Sequence, residues 1–395
     1  MQFSANQSFM AIETDESKVD STVSILDVAS ERVLCSIRLP AVPGIFMNST
    51  PRRLAFSPNN KVIAATGWSN RIHLFDASSG EEIRTIGGSE TGVLAISISP
   101  DGRLIAAGSG GRDDNGFSLD CKRRIWRIGT SEELNTSGEG QQRVYGATFS
   151  HDGKILVSNG PDGFIRLVES ASGSEIMSIG NKNGSYTALA ISSDGQTIAG
   201  GTFDGRIYLW KLPPSSWLER KGKLTKEDLS SLWEGLSSRE GDRAFRSVCI
   251  LSATPTDAMA MLKERLRYPA MKASKPPTEE EIKNAVRDLD SDKFSIRETA
   301  SGILAMAGPD AERLLESTLS RTKSEEVRSR VKKLLRALEV WDIKEVEGLR
   351  LIRVIWVLER IGTKEASKML REIAQSGFDA RSKGEAELAL KRLPQ

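Results

Sequence analysis

Two histidines, His73 and His151, are the only imidazoles in the chain, so general acid–base or imidazole–metal chemistry near neutral pH would have to use one of them. They fall in different copies of a repeated segment. His73 occupies a strand position that other copies fill with Ser24, Arg124, Arg166 and Tyr208, and His151 fills a turn slot held elsewhere by Pro58 and Pro100. Both read as tolerated structural residues. Asp288-x-Asp290-x-Asp292 opens like a calcium loop, but such a loop needs Gly at the sixth position and a bidentate carboxylate at the twelfth. Lys293 and Thr299 stand there, so the segment reads as a polar connection in which Asp292 or Ser295 caps the next helix. Gly108-Ser109-Gly110-Gly111 lacks the third glycine and the Lys-Ser/Thr of a phosphate loop. Arg321, Lys323, Arg328, Arg330, Lys332, Lys333 and Arg336 form a basic run in which Arg328, Lys332 and Arg336 share a helical face. Glu325, Glu326 and Glu339 dilute it, and no aromatic residues interleave for base stacking; it reads as a solvated face. The expectation is a protein without catalytic residues, cofactor or metal.

The totals agree with an ordinary soluble chain. Its 395 residues are enough for two or three domains, and 27% charged residues with 38% hydrophobic ones do not favour disorder. The first 213 residues carry 20 Lys+Arg against 23 Asp+Glu, and the remainder 35 against 30. Neither imbalance calls for nucleic acid or an anionic membrane. Cys35, Cys121 and Cys249 are odd in number and widely spaced, which favours a reducing, cytoplasmic compartment over a disulfide framework. No apolar run reaches the length of a membrane span. The segment Met1-Gln2-Phe3-Ser4 lacks the regions of a signal peptide, although a chain that begins inside a repeat would leave such a segment upstream.

Five stretches align without gaps: Phe3 to Glu13, Phe56 to Thr66, Ile98 to Gly108, Phe149 to Asn159 and Ile191 to Gly201. Each opens with Phe-Ser or Ile-Ser, passes a polar turn such as Asp101-Gly102 or Asp152-Gly153, and enters a short apolar run. Asp-Gly between apolar runs is a strong hairpin signal, because both residues tolerate positive φ. A third strand follows, for example Ile72-His73-Leu74-Phe75 or Ile207-Tyr208-Leu209-Trp210. Six residues before its final apolar residue stands Asp20, Ser69, Asp120, Asp162 or Asp204. An Asp there can accept turn amides and fix the second hairpin. A fourth strand is visible in four units, and unit starts lie 53, 42, 51 and 42 residues apart.

Four short strands in each unit of about 40–45 residues is the WD-repeat pattern. Phe149-Ser150-His151-Asp152-Gly153-Lys154 and Asp204-Gly205-Arg206 through Trp210-Lys211 resemble WD-repeat motifs, and the resemblance covers Phe3 to about Leu212. The Trp-Asp dipeptide and the family's Gly-His pair are absent, so the family's buried hydrogen-bond network is not carried over. The first unit is expected to lack its opening strand and the fifth its last, which implies a fragment or an open ring with exposed strand edges.

After Pro213-Pro214 helical spacing takes over. Leu251 to Pro255, Leu304 to Gly308 and Leu358 to Gly362 each lead into Ala-x3-Leu, at Ala258, Ala311 and Ala366. A third helix is expected after each pair, over 278–289, 324–338 and 382–393. Thr278 with Glu281 and Ser382 with Glu385 read as capping boxes. Stacked units of this kind bury one continuous core, and the stretch from Arg297 to Val331 resembles HEAT-like repeats. The expected organisation is therefore an all-β propeller of about five WD-type repeats, incomplete, over 1–212. A linker at 213–228 and an all-α HEAT-like solenoid over 229–395 follow.

The residue before each turn acid is Val19, Trp68, Leu119, Pro161 or Phe203, all apolar in loops otherwise rich in Gly, Ser and Asn. The WD resemblance implies that this loop lies on one rim beside the start of the first strand, where partners dock. Arg52, Leu94, Arg143, Tyr145 and Thr187 would be its first-strand neighbours, and the insert from Gly108 to Phe117, with Arg112, joins the same rim. Trp, Tyr and Arg are typical hot-spot residues. The expected partner-binding set is thus Trp68, Phe203, Leu119, Arg52, Arg143, Tyr145 and Arg112, with Asp20, Asp120, Asp162 and Asp204 as structural turn residues. The favoured function is a non-catalytic protein-interaction scaffold with other proteins as partners, no membrane insertion and no nucleic acid. The alternatives are a nucleic-acid-binding module through Arg328–Arg336 and a fragment of a larger enzyme or signalling protein.

Overall fold

The computed structural model describes residues 2–4, 6–15, 21–39, 54–66, 71–89, 92–112, 118–137, 143–180, 184–214, 217, 223–266, 277–307, 309–339, 346–375 and 380–393. The chain divides into two compact units, Met1–Leu212 and Pro213–Gln395.

In the first unit the period-2 alternation produces short antiparallel strands in chain order. Blade 1 is β1 (Gln2–Phe3), β2 (Phe9–Asp15), β3 (Ser21–Asp27) and β4 (Val33–Leu39). Blade 2 is β5 (Leu54–Phe56), β6 (Val62–Thr66), β7 (Arg71–Asp76) and β8 (Glu82–Gly88). Blade 3 is β9 (Val93–Ile98), β10 (Leu104–Ser109), β13 (Arg123–Arg127) and β14 (Glu133–Ser137). A small hairpin, β11 (Gly111–Arg112) with β12 (Ser118–Leu119), is inserted in it. Blade 4 is β15 (Gly146–Phe149), β16 (Ile155–Asn159), β17 (Phe164–Glu169) and β18 (Glu175–Gly180). Blade 5 has three strands among the described residues, β19 (Tyr186–Ile191), β20 (Thr197–Thr202) and β21 (Ile207–Lys211).

One expectation is corrected here. Blade 1 does not lack an opening strand, because Gln2 and Phe3 pair with Ala11 and Met10. A strand of two residues carries too little alternation to be recognised in sequence.

The opening hairpins all close with one device. In blade 4 the Ser150 hydroxyl donates to Asp152 Oδ1 at 2.5 Å, the Lys154 amide donates to the same oxygen at 3.1 Å, and the Ile155 amide donates to Ser150 Oγ at 3.0 Å. Ser4 with Asn6, Ser57 with Asn59, Ser99 with Asp101 and Ser192 with Asp194 repeat it. Only the next residue takes positive φ: Gln7 59°, Asn60 58°, Gly102 74°, Gly153 72° and Gly195 66°. The Asp-Gly pairs therefore do not form the two-residue turn in which both residues are left-handed. Here the acidic side chain serves as a hydrogen-bond acceptor inside the turn.

Register is constant from blade to blade, with Ala11↔Ile25, Ala64↔Leu74, Ala106↔Ile125, Val157↔Leu167 and Ala199↔Leu209. One face of each blade packs on the next. Val23, Ile25 and Ile37 meet Ile63, Ala65 and Phe75; Ile72 and Leu74 meet Ile105 and Trp126; Ile125 meets Phe149, Leu156 and Val168. The first strands β1, β5, β9, β15 and β19 line a common cavity of about 690 Å³.

The second unit holds ten helices among the described residues. They are α1 (Lys226–Gly235), α2 (Gly241–Ala253), α3 (Pro255–Arg265), α4 (Glu279–Asp288), α5 (Phe294–Ala307), α6 (Pro309–Arg321), α7 (Glu325–Glu339), α8 (Val346–Ile361), α9 (Lys364–Gln375) and α10 (Ala380–Arg392). Thr278 and Glu281 form the expected capping box, and Thr225 with Asp228 forms another. The box expected at Ser382 is not formed. α10 already begins at Ala380, and Ser382 lies inside it, buried.

A linear stack of three units would keep the first and third apart. Here they meet. α2 packs against α8, Lys263 of α3 pairs with Glu365 of α9, and Arg353 of α8 donates to the carbonyls of Leu236 and Ser238 at 2.8 and 2.7 Å. The cause is the composition of α8, which buries Leu349, Leu351, Ile352, Val354, Ile355, Trp356, Val357 and Leu358. A helix with apolar residues on every side must be surrounded. α4 to α7 share a separate core around Leu304, Leu315 and Val331.

Candidate protein-interaction rim

Three backbone bonds identify the loops that run beside the first strands. The Val144 amide donates to Ser109 O at 3.1 Å, the Tyr145 amide to Asn159 O at 2.9 Å and the Phe203 amide to Ser185 O at 3.2 Å. The loops that follow β10, β16 and β20 thus lie along the entries to β15 and β19. Bare backbone makes this possible. A β-carbon on Gly110 would come within 2.7 Å of Arg143 Cα, and one on Gly160 within 2.3 Å of Arg143 O. Arg143 is half-buried between them, and its Nε is buried without a hydrogen-bond partner. Tyr145, also half-buried, lines the cavity with Thr187.

Phe203 is the most exposed large apolar side chain among the described residues, at 87%. Leu94, by contrast, is buried, and Pro161 is half-buried. Trp68, Arg52, Val19 and Asp20 lie outside the described residues, as do the side chains of Arg112 and Leu119, whose backbones belong to the β11–β12 hairpin.

The three described turn acids are held differently. Asp162 accepts the Phe164 amide at 3.2 Å and pairs with Arg166 Nη2 at 2.5 Å. Asp120 pairs with Arg124 and accepts the Ser89 hydroxyl at 2.5 Å. Asp204 accepts the Thr202 hydroxyl at 2.5 Å, and this hydroxyl holds its carboxyl below the ordinary aspartate value. In blades 3 and 4 an arginine four residues on therefore supplies much of the fixing.

Arg123 escaped the sequence reading, and so did the partner of His73. Arg123 is buried between blades 3 and 4, donates to Ser158 Oγ at 3.1 Å and approaches Glu175 at 3.8 Å. Burial draws its guanidinium down to about 10, against the opposing pull of Glu175. In sequence Lys122-Arg123-Arg124 is only a polar stretch before Ile125-Trp126, and nothing local shows that the neighbouring blade brings it acceptors. His73 is also buried, with Nδ1 2.9 Å from Glu82 Oε1, which in turn accepts the Thr85 hydroxyl at 2.7 Å. Glu82 belongs to the adjacent strand, so only strand pairing reveals it. His151 lies in the blade 4 turn and is exposed. Burial pushes the Cys249 thiol up to about 12, which withholds thiolate chemistry at neutral pH. Among the described residues no group of His, Cys, Asp and Glu is placed to hold a metal ion, and no helix is long and apolar enough to cross a membrane.

Two arginines of the basic helix α7 are paired. Arg328 contacts Glu325 at 2.8 Å, and Arg330 contacts Glu298 at 2.6 Å and Glu326 at 2.7 Å. The Arg336 side chain lies outside the described residues.

With this geometry in place, the chain was compared with known proteins. The WD40 family model (WD domain, G-beta repeat) matches residues 48–76, 80–115 and 173–211. The Xenopus tropicalis WD repeat-containing protein 1 is 27% identical over 164 residues, 39% of this chain and 25% of that protein. The Neurospora crassa small ribosomal subunit protein RACK1 is 28% identical over 162 residues, 39% of this chain and 49% of that protein. The Saccharomyces cerevisiae APC/C activator protein CDH1 is 24% identical over 151 residues, 38% of this chain and 26% of that protein. The chain thus spans between a quarter and a half of the length of these relatives. A chain in the crystal structure of a mitotic checkpoint complex superposes with a TM-score of 0.43 at 20% identity, covering 54% of this chain and 62% of that one. The three stretches that match the WD40 model all fall in the first unit of this protein.

Proposed function

We propose that this protein is a non-catalytic interaction scaffold that docks other proteins on the blade rim. The surface comprises Phe203, Arg143 and Tyr145, together with Trp68, Leu119, Arg52 and Arg112, which the WD resemblance assigns to the same rim. The observation that carries the reading is the 87% exposure of Phe203 in a turn whose hydrogen bonds do not need an aromatic side chain. An exposed aromatic, an arginine and a tyrosine on loops that run beside the first strands give the composition of an interface centre. The names of two relatives, a small ribosomal subunit protein and an APC/C activator, belong to components of assemblies. The helices of 229–395, read as HEAT-like repeats, would offer a second surface, and the three free thiols fit a reducing, cytoplasmic setting.

The reading is tested by placing a photocrosslinking amino acid at position 203 and identifying the covalent adduct by mass spectrometry, with Phe203→Ser as the competing variant. A defined adduct, and loss of that partner in Phe203→Ser with an unshifted thermal melt, is expected. Exposed substitutions usually change stability by no more than about 0.5 kcal/mol. Equal partner capture by the wild type and Phe203→Ser, or a large fall in melting temperature, would remove the rim from consideration.

A further inference from the structure

The buried and half-buried arginines of the first unit have partners, with one exception. Arg84 donates to Ile128 O and Gly129 O, Arg123 to Ser158, and Arg124, Arg127 and Arg166 pair with Asp120, Glu132 and Asp162. Arg103 is also engaged. Arg143 is half-buried, yet among the described residues it has neither a hydrogen bond nor an ion pair, and its Nε is enclosed without an acceptor. The acid on the neighbouring Gly160 loop, Asp162, is already taken by Arg166 and the Phe164 amide.

This unpaired cation is also held in place. A β-carbon on Gly110 would stand 2.7 Å from both Cα and Cγ of Arg143, and one on Gly160 would stand 2.3 Å from Arg143 O. The Val144 amide is bound to Ser109 O and the Tyr145 amide to Asn159 O. Backbone and stem are thus clamped between two loops, and a side chain ordered in advance loses little freedom on binding. The loops belong to blades 3 and 4, each packed between described blades, so Arg143 does not owe its exposure to the first or last repeat.

We propose that Arg143 selects what docks on the rim by taking one aspartate or glutamate side chain of a partner protein. A guanidinium left without a partner gains a charge-assisted pair there, and its planar fork matches the two oxygens of a carboxylate. The occupant carries a single negative charge because the site offers a single uncompensated positive one. Arg166, close by, is neutralised by Asp162, whereas phosphorylated segments are read by clusters of arginines. The inference rests on the rim reading and adds to it the chemistry of the partner.

The test is selection of random linear peptides on the immobilised full chain, followed by fluorescence anisotropy of the enriched peptides against variants. Enriched peptides should share one Asp or Glu position. Changing that position to Asn or Gln, or Arg143→Gln in the protein, should weaken binding about 30-fold or more. Arg143→Glu should lose these peptides and regain binding when the acid is replaced by Lys, a rescue that misfolding cannot give. Peptides that depend on Phe203 but carry no acidic position, or that bind Arg143→Gln as well as the wild type, would overturn the proposal and leave the rim reading standing. Peptides indifferent to both Phe203→Ser and Arg143→Gln, or no enrichment at all, would remove both. Tighter binding with phosphoserine in place of the acid would also overturn it, in favour of a phosphorylated partner.

Discussion

Gly160 and Arg143 touch on the rim through backbone alone: a β-carbon on Gly160 would stand 2.3 Å from Arg143 O. Gly160→Ala must therefore displace the approach to β15, because a main-chain carbonyl cannot rotate away as a side-chain tip can. Overpacking of this kind costs about 1–3 kcal/mol. Urea unfolding should show a lowered midpoint with the slope preserved. An unmoved midpoint would show that this loop yields freely and that the rim is not held by the contact.

Acid should weaken blade 2 through Asp76. The Ser78 hydroxyl and then the Ser79 amide hold its carboxyl below the ordinary value, against the effect of desolvation. A carboxylate with a depressed folded-state value adds stability that is fully present above its unfolded value, roughly 3.9. That stability is lost as pH falls through the folded value. The gap in stability between the wild type and Asp76→Asn should therefore be constant near neutrality and shrink as pH drops below about 4. A gap independent of pH would mean that Asp76 contributes through its shape and not its charge.

Arg353 should be indispensable to the helical unit. It is 0% exposed and donates to Leu236 O and Ser238 O. Arg353→Met keeps most of the volume but leaves both carbonyls without this donor, at a cost of roughly 3 kcal/mol. Far-UV circular dichroism during denaturation should show the helical transition moving to lower denaturant. An equal or higher midpoint would show that apolar packing compensates for the buried charge, as occurs at some buried ion pairs.

The helical unit should not bind nucleic acid strongly. Arg328 and Arg330 are already engaged by Glu325, Glu326 and Glu298, so binding phosphate means breaking those pairs. Fluorescence anisotropy with duplex and single-stranded probes at physiological salt should reveal only weak, salt-sensitive attraction. Sub-micromolar binding, lost in an Arg328→Glu, Lys332→Glu and Arg336→Glu triple variant, would reinstate the nucleic-acid reading.

Much of the local structure was legible because it depends on near neighbours. Short apolar runs at Val62 to Ala65 and Ile155 to Val157 mark strands, and Ser150-His151-Asp152-Gly153 marks the turn between β15 and β16. Thr278 and Glu281 mark a helix start three residues apart. Where the neighbours fell short, so did the reading. β1 has only two residues, and the start of α10 precedes Ser382, which resembles a cap but is buried.

By itself the sequence determined the repeating unit, its short strands and the position of its turns, since these follow from apolar runs and from turn chemistry within a few positions. Only the tertiary structure decided which strand faces are covered. Leu74 and Leu209 are the same residue at the same register position, yet one is 1% exposed and the other 68%. Likewise Glu82 reaches His73, Glu175 reaches Arg123 and α2 reaches α8 only because distant segments are brought together. Burial and charge pairing belong to the arrangement of neighbours in space, and local sequence does not encode that arrangement.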